Sequence, residues 1–359
     1  MHQLLTCYRL RGAGILALLF SLLIVPSTMG KTWRVPSEHA TICGAVDSAS
    51  YGDTVLVEPG TYYRERRMLT PGGYVWILLT DGVTLVSELG PEATILVETS
   101  DEMGITSIKC DSIVDARVRG FTIVDANPLP AEENWDAAVG IVSSDVVIED
   151  NIIHHFNTGI WVLGQPPHSD TPVIKDNEIY DCLYGIELYE VWTRDCPSII
   201  DNHIHDCSSV GMKSTNSAPY VGFNTISNNG GVGLAYLCYG DGLIEGNKII
   251  NNGWAGVYAD MDYAYNTPCL NCRHYRELAN DVYGNGEYDV YYDEETGLGL
   301  FEATFNYWGT LCPEPLRFYG RVNWSPWVDS THTVLCSDCD TCHHETNPTT
   351  WGNIKVMFK

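Results

Sequence analysis

The hydrophobic pattern of this chain repeats over most of its length. In each full unit an apolar residue stands three positions before an asparagine and another stands two positions after it, as Ile148 and Ile153 do around Asn151. The grouping returns at intervals of 22 to 33 residues, and such a period is typical of solenoid proteins. The anchoring asparagines are Asn151, Asn177, Asn202, Asn224, Asn247, Asn280 and Asn306.

Each full unit also contains a short alternating segment that starts at glycine. Gly159-Ile160-Trp161-Val162 and Gly256-Val257-Tyr258-Ala259 are two examples. Alternation with a period of two predicts β-strands with one face inward, so each unit is expected to hold at least two short strands and a tight corner. Asparagines repeated at that corner predict a structural ladder, in which each amide bonds its neighbour and the turn backbone.

Two solenoid folds share part of this pattern. The segment from Val146 to Ile153 also fits a leucine-rich repeat. That fold needs leucines and a helical segment in the second half of each unit, whereas the second half here is glycine-led and β-branched, as in Gly159 to Val162. The pattern therefore favours an all-β fold, a right-handed parallel β-helix with coils of about 22–26 residues.

The segment from Ala40 to Tyr62 is predicted to form the N-terminal end of this solenoid. Its apolar residues fall on one helical face, which indicates a short N-terminal capping helix, and the strand Thr54 to Val57 follows. The residues on that face are Ile42, Ala45, Val46 and Ala49. Together with the repeat units, this opening resembles the pectate-lyase-like superfamily of exported, carbohydrate-associated β-helix proteins, over roughly Trp33 to Trp327. The resemblance implies the fold more strongly than the function, since one fold hosts many chemistries.

The N-terminus has the features of a secretory signal. Arg9 and Arg11 precede an apolar run from Ala13 to Val25, which is too short to span a bilayer. We predict a signal peptide over 1–30, the β-helix domain over 31–328, and a cysteine-rich tail with a short terminal tag over 329–359. A retained membrane anchor is the alternative. The mature protein is thus expected to be secreted, on the cell surface or periplasmic, without a transmembrane segment.

The charge balance narrows the choice of partners. The chain has 20 Lys and Arg residues against 46 Asp and Glu residues, a net charge of −26. Such a chain repels phosphate backbones and anionic membrane surfaces, so nucleic acid is not an expected partner. We expect a monomer that meets a polysaccharide or a cell-surface glycan.

Stacked coils place equivalent residues about 4.8 Å apart, so each repeated position becomes a row in space. One outward row is predicted to contain Trp161, Glu187, Lys213, Ala235, Tyr258 and Tyr291. A second contains Leu163, Tyr189, Thr215, Leu237, Asp260 and Asp293. Aromatic rings pack on sugar rings, and carboxylates bond hydroxyls or bind Ca²⁺; an ordinary solvated sheet face is the alternative. The predicted substrate-binding residues are Trp161, Tyr189, Tyr258 and Tyr291.

Asp260 and Asp293 are expected to be direct neighbours in the second row. Like charges at about 5 Å repel, so one is expected to be protonated or both to share a cation, which makes Ca²⁺ a possible cofactor. The separation also suits the carboxylate pair of a retaining glycosidase, and a lysine can remove the α-proton of a uronate. The candidate catalytic residues are therefore Asp260, Asp293, Glu187 and Lys213. Two solvent-relaxed acids at a loop edge are the alternative.

Signatures of the enzymes in the resembling superfamily are missing. The sequence has no Asn-Thr-Asp, Gly-His-Gly or Arg-Ile-Lys of polygalacturonases, no Asp-Pro-His-Asp of alginate epimerases and no Arg-x-Pro-x-x-Arg of pectate lyases. No catalytic residue can therefore be carried over from them. The sequence favours an exported carbohydrate-binding or cell-surface structural protein, with a polysaccharide lyase or glycoside hydrolase as the alternative.

A third row lies three positions after the asparagines and contains histidines. It is predicted to read His154, Tyr180, His205, Ser227, Ile250 and Tyr283. The two histidines would lie about 10 Å apart, two coil spacings, which is too far for one metal ion. This row is interpreted as a polar corner.

Cysteines are numerous for a chain of this size, and an even number of 12 follows residue 30. Cys182 and Cys207 are predicted to face each other across adjacent coils, either as a disulfide or as stacked thiols. The tail partly matches a zinc site or a haem-attachment site, and simple disulfides are the other interpretation. The residues of that motif are Cys336, Cys339, Cys342 and His343.

Overall fold

The computed structural model describes residues 30–65, 68–70, 73–100, 104–128, 136–164, 171–191, 198–237, 242–260, 269–271, 273–293 and 299–339. Most of the predicted signal peptide and the whole terminal tag lie outside these residues, so both stay predictions. Among the described residues, no helix has the length and hydropathy that a membrane crossing requires.

Three long sheets account for almost all of the regular structure. Sheet A consists of Thr32–Val35, Thr54–Val57, Thr84–Ser87, Val114–Arg119, Asp145–Glu149, Val173–Lys175, Ser198–Ile200, Tyr220–Gly222, Leu243–Glu245, Cys269–Leu270, Phe301–Glu302 and Val322–Asn323. Sheet B consists of Gly60–Tyr63, Thr94–Glu98, Thr122–Asp125, Ile152–His154, Glu178–Tyr180, His203–His205, Thr225–Ser227, Lys248–Ile250 and Asp281–Tyr283. Sheet C consists of Met68–Thr70, Gly73–Leu78, Ile105–Asp111, Ala137–Val142, Thr158–Leu163, Tyr184–Tyr189, Val210–Thr215, Val232–Leu237, Ala255–Asp260, Tyr288–Asp293 and Phe318–Tyr319.

The remaining elements are short. Within the described ranges they are the helix Ile42–Ser48, the 3₁₀ turns Arg276–Leu278 and Pro315–Arg317, and the antiparallel pair Trp327–Val328 and Leu335–Cys336.

Each complete coil adds one strand to each sheet, in the order A, B, C. Asp145–Glu149, Ile152–His154 and Thr158–Leu163 form one such coil. Equivalent strands of successive coils pair in parallel and in register. The second half of the unit is a strand and not a helix, so the parallel β-helix is confirmed and the leucine-rich repeat is excluded.

The seven repeated asparagines lie between sheets A and B and are hydrogen-bonded in one continuous ladder. Each side-chain nitrogen donates to the next asparagine's Oδ1 at 2.9–3.0 Å, from Asn151 to Asn306. The preceding residue is often left-handed: φ is 55° at Asp150 and 56° at Asp176. Aspartate tolerates that conformation better than most residues. The residue before the asparagine is an aspartate or a glycine in four of the seven units, a phenylalanine with positive φ before Asn224 and Asn306, and Ala279 before Asn280.

The interior is a column of branched aliphatic side chains. In a single coil Ile148, Ile153 and Ile160 are all fully buried, one from each sheet. Burial of each such side chain contributes about 1.5–3 kcal/mol. Because the inward positions alternate with outward ones, the same register that builds this core also aligns the outward rows.

Both ends of the column are closed by apolar side chains. At the N-terminal end the predicted capping helix is confirmed as Ile42–Ser48, and Thr41 caps it by accepting a hydrogen bond from the Gly44 backbone N at 3.0 Å. At the other end Trp308 packs edge-on against Phe318, whose ring stacks on Trp324 with 4.9 Å between centroids.

The cysteines in the described part of the chain are either buried thiols or disulfide-bonded. Cys312 and Cys339 form a disulfide across 27 residues, and Cys336 is also disulfide-bonded. The disulfide interpretation of the tail is thereby confirmed. Neither Cys336 nor Cys339 is free to bind zinc or haem; Cys342 and His343 lie outside the described residues. Cys182 and Cys207 are buried free thiols, so the stacked-thiol alternative is the one that the structure adopts.

Candidate functional site

The outer face of sheet C carries two rows of potentially functional side chains. Strand register pairs each member of the first row with the next, and the row then continues to Tyr319. In chain order these residues are Trp161, Glu187, Lys213, Ala235, Tyr258 and Tyr291. The second row runs in the same register through Leu163, Tyr189, Thr215, Leu237, Asp260 and Asp293.

Five aromatic rings gather at the C-terminal end of these rows. Tyr291 is at their centre: its ring lies 4.3 Å from that of Tyr319, 5.0 Å from Trp254, 5.1 Å from Tyr288 and 5.7 Å from Tyr258, measured between centroids. Tyr319 is 47% exposed and the other four are half-buried. We call these five residues the aromatic platform.

Sequence reasoning identified only two members of the platform. Trp254 lies just before the strand Ala255–Asp260, and Tyr288 and Tyr319 lie in strands of sheet C. The sequence feature that indicated the other three residues was the high density of aromatic residues around the last two repeats. Repeat alignment separates Trp254 and Tyr288 into other columns, so it could not bring them beside Tyr291.

Two carboxylates border the platform. Asp260 and Asp293 are register partners on adjacent strands, next to Tyr258 and Tyr291 in sequence and on the same outward face. Burial raises the pKa of Tyr258 to about 12, and the charges of both aspartates and a hydrogen bond to Asp260 add to this effect. Burial also raises the pKa of Tyr291, with Tyr319 and Asp293 contributing. Both phenols are therefore neutral hydrogen-bonding groups at neutral pH.

Glu187 and Lys213 are neighbours in the first row and bond to each other. Lys213 Nζ lies 2.8 Å from Glu187 Oε1 and 5.0 Å from the centre of the Tyr184 ring. Two coil steps separate Lys213 from Tyr258, or about 10 Å. The four candidate catalytic residues thus form two pairs on the same face and not one cluster.

The other two predicted binding residues lie farther along the face. Tyr189 is 42% exposed and is three coil steps from Asp260, and Trp161 is four steps, about 19 Å, from Tyr258. A polymer that follows the rows could reach them, whereas a small ligand on the platform could not.

A concavity lies on another part of the surface. It has a volume of about 610 Å³ and follows the corner between sheets A and B, where Arg119, Asp150, Asp176 and Glu178 line it. The residues of the aromatic platform do not line this concavity.

Comparison with known proteins agrees with this architecture. A family model described as a right-handed β-helix region matches residues 143–273. The chain contains a right-handed parallel β-helix. The resemblance to the pectate-lyase-like type is thus confirmed for the fold, and the handedness expected from the repeats is confirmed with it.

Several solved structures resemble this β-helix in fold. The A-module of the mannuronan C-5 epimerase AlgE6 from Azotobacter vinelandii has 17% identity and a TM-score of 0.42, over 79% of this chain and 94% of that one. The Dettilon tailspike protein has 11% identity and a TM-score of 0.47, over 84% and 56%. The PL6 family alginate lyase AlyGC has 10% identity and a TM-score of 0.34, over 82% and 53%. At these levels the likeness concerns the fold alone. No curated protein sequence matches the chain.

Proposed function

We propose that this protein is an exported β-helix that binds an extracellular polysaccharide along the outer face of sheet C. The observation that carries the proposal is the aromatic platform beside Asp260 and Asp293. Ring faces offer apolar surface to the C–H groups of sugars, and neighbouring carboxylates accept hydrogen bonds from their hydroxyls. Exposed aromatic clusters of this kind usually mark an interaction surface.

Export is part of the proposal. The Cys312–Cys339 disulfide supports it, because disulfides persist in oxidising compartments such as the periplasm and the extracellular space. The net charge of −26 supports a neutral or hydroxyl-rich partner over a nucleic acid or an anionic membrane. Monomeric state and signal cleavage before Lys31 remain predictions of the sequence.

A polysaccharide lyase or glycoside hydrolase is the second candidate. It is favoured by the adjacency of Asp260 and Asp293, since two neighbouring carboxylates can share a Ca²⁺ ion or divide the roles of acid and nucleophile. Glu187 and Lys213 are less suited to join them, because they are bonded to each other and lie three and two coils from Asp260. Catalysis, if present, would therefore centre on the aspartate pair.

Binding can be tested directly with Tyr291→Ala. Pull-down and affinity electrophoresis against uronic-acid and neutral polysaccharides, with Ca²⁺ or with EDTA, would identify a glycan. We expect Tyr291→Ala to weaken binding to it by about tenfold or more, since the variant removes the ring that contacts the other four. Tyr63→Ala is the matched control, because Tyr63 is 61% exposed and belongs to sheet B.

Assays for reaction products in the same samples distinguish a binding protein from an enzyme. New reducing ends, or absorbance near 232 nm from unsaturated products, that disappear in Asp260→Asn/Asp293→Asn would identify an enzyme. Retention of the glycan without either product supports a binding protein. Equal binding by wild type, Tyr291→Ala and Tyr63→Ala would contradict a role for the platform.

A further inference from the structure

A compact group of metal-ligand side chains lies on sheet B, away from the platform. His203 and His205 are two residues apart in one strand, so both point outward while Ile204 is buried between them. Glu178 lies on the adjacent strand, where it is the register partner of His203. Side chains from two successive coils therefore meet at one point of the surface.

The distances suit one small cation. One potential ligand atom from each of Glu178, His203 and His205 lies within 4.8 Å of the other two. His205 Nε2 and Glu178 Oε1 are 3.3 Å apart, and the two imidazole centroids are 4.1 Å apart. Tetrahedral ligands at about 2.0–2.1 Å from Zn²⁺ are separated by about 3.3–3.4 Å, so small side-chain rotations would complete the geometry.

The surroundings hold His205 in the orientation that a metal ligand needs. Its Nδ1 is 2.7 Å from Asp206 Oδ2, which leaves Nε2 directed towards Glu178. A carboxylate on the second ring nitrogen is the usual support of a zinc-bound histidine, because it fixes the tautomer and increases ligand basicity. Tyr180 stacks on the His205 ring at 5.2 Å, and His154 stacks on Tyr180 at 4.9 Å.

We propose that Glu178, His203 and His205 form a Zn²⁺ site that joins two successive coils and leaves a coordination position open to solvent. Two imidazoles and one carboxylate form the donor set of open zinc sites, whereas Ca²⁺ and Mg²⁺ prefer oxygen ligands alone. His203 is exposed and Glu178 borders the concavity between sheets A and B, so an ion can enter from water. The site does not depend on glycan binding at sheet C.

The test is Zn²⁺ binding by the full chain, produced without a polyhistidine tag and measured by competition with a chromophoric chelator. Wild type is expected to bind one Zn²⁺ at this site. We expect His203→Ala and Glu178→Gln each to lower the affinity at least tenfold. Asp206→Asn should lower it by about 10- to 100-fold through His205 alone. Visible absorption of the Co²⁺ form gives an independent signature, which should change in all three variants.

Control variants separate this site from others. His274→Ala changes an exposed histidine outside sheet B and should leave the affinity unchanged. His343→Ala/His344→Ala removes the tail histidines and should also leave it unchanged. His203→Cys restores a ligand and should recover part of the lost affinity, which distinguishes ligation from misfolding. The proposal is overturned if wild type binds no Zn²⁺, if binding persists in His203→Ala and Glu178→Gln, or if only the tail variant abolishes it.

Discussion

The hydrogen bonds of Asn224, at the centre of the asparagine ladder, allow the ladder's contribution to stability to be predicted quantitatively. Asn224 Nδ2 donates to the Ile199 carbonyl at 2.8 Å, to the Gly222 carbonyl at 3.1 Å and to Asn247 Oδ1 at 3.0 Å. Its Oδ1 accepts from the backbone and side-chain nitrogens of Asn202. Asn224→Asp keeps the shape and the accepting oxygen but removes both N–H donors, which between them serve these three acceptors.

The loss of these bonds can be converted into free energy. Two N–H donors are lost, at about 1 kcal/mol net each, so we expect the unfolding free energy to fall by about 2 kcal/mol. The new carboxyl is buried and faces three acceptors, which adds a desolvation cost. That environment raises its pKa in the folded state above the unfolded value of about 3.9, so the cost is smallest below pH 4 and increases as the pH rises towards 7.

Urea unfolding followed by far-ultraviolet circular dichroism measures this change, with the midpoint compared at a constant denaturant slope. Asn228→Asp is the matched control, since Asn228 lies four residues further on, is exposed, and has a left-handed φ of 56° that aspartate tolerates. The control should stay within about 0.5 kcal/mol of wild type. If Asn224→Asp is equally mild, the ladder does not carry the stability assigned to it here.

Two further predictions concern pH and covalent structure. Asp125 is only 2% exposed, and burial raises its pKa to about 7, with the charges of Asp136 and Glu98 adding to the effect. Its folded pKa is above the unfolded one, so its contribution to stability is complete below pH 4 and is lost as the pH rises to 7. Asp125→Asn should remove this pH dependence and raise the unfolding free energy by about 1–2 kcal/mol at pH 7. An unchanged pH profile of the urea midpoints would count against this prediction. Replacing Cys312 and Cys339 with serine should lower the unfolding free energy by about 3 kcal/mol, because the disulfide closes a loop of 27 residues. Calorimetry measures this difference, which should disappear when wild type and variant are both reduced.

The repeat could be predicted from the sequence because the residues that determine it are close together in the chain. An aspartate or glycine precedes the corner asparagine in four of the seven units, and apolar residues at fixed offsets encode the inward face, as around Asn151 and Asn177. Since parallel strands pair in register, alignment of the repeats also yields the order of the outward rows. The adjacency of Asp260 and Asp293 follows from that one rule.

Contacts between residues of different rows could not be predicted from the sequence in the same way. Trp254 lies 5.0 Å from Tyr291 although alignment places them in separate columns, and His205 reaches Glu178, which belongs to another row, across a coil boundary. Side-chain direction and the bend at each corner decide such contacts, and neither has a sequence period. The predicted row through His205 therefore did not include Glu178 or His203, which lie one position after the asparagines.

The sequence by itself determined the solenoid, its coil length and its ladder, because each depends on a short motif that recurs at a nearly constant interval. Only the tertiary structure decided which outward residues touch. It gathered five rings into one platform, brought His205 to Glu178, and left Cys182 and Cys207 as thiols. The physical reason is that a repeat sets the axial spacing of residues, whereas lateral contacts depend on how long side chains lean across the sheet.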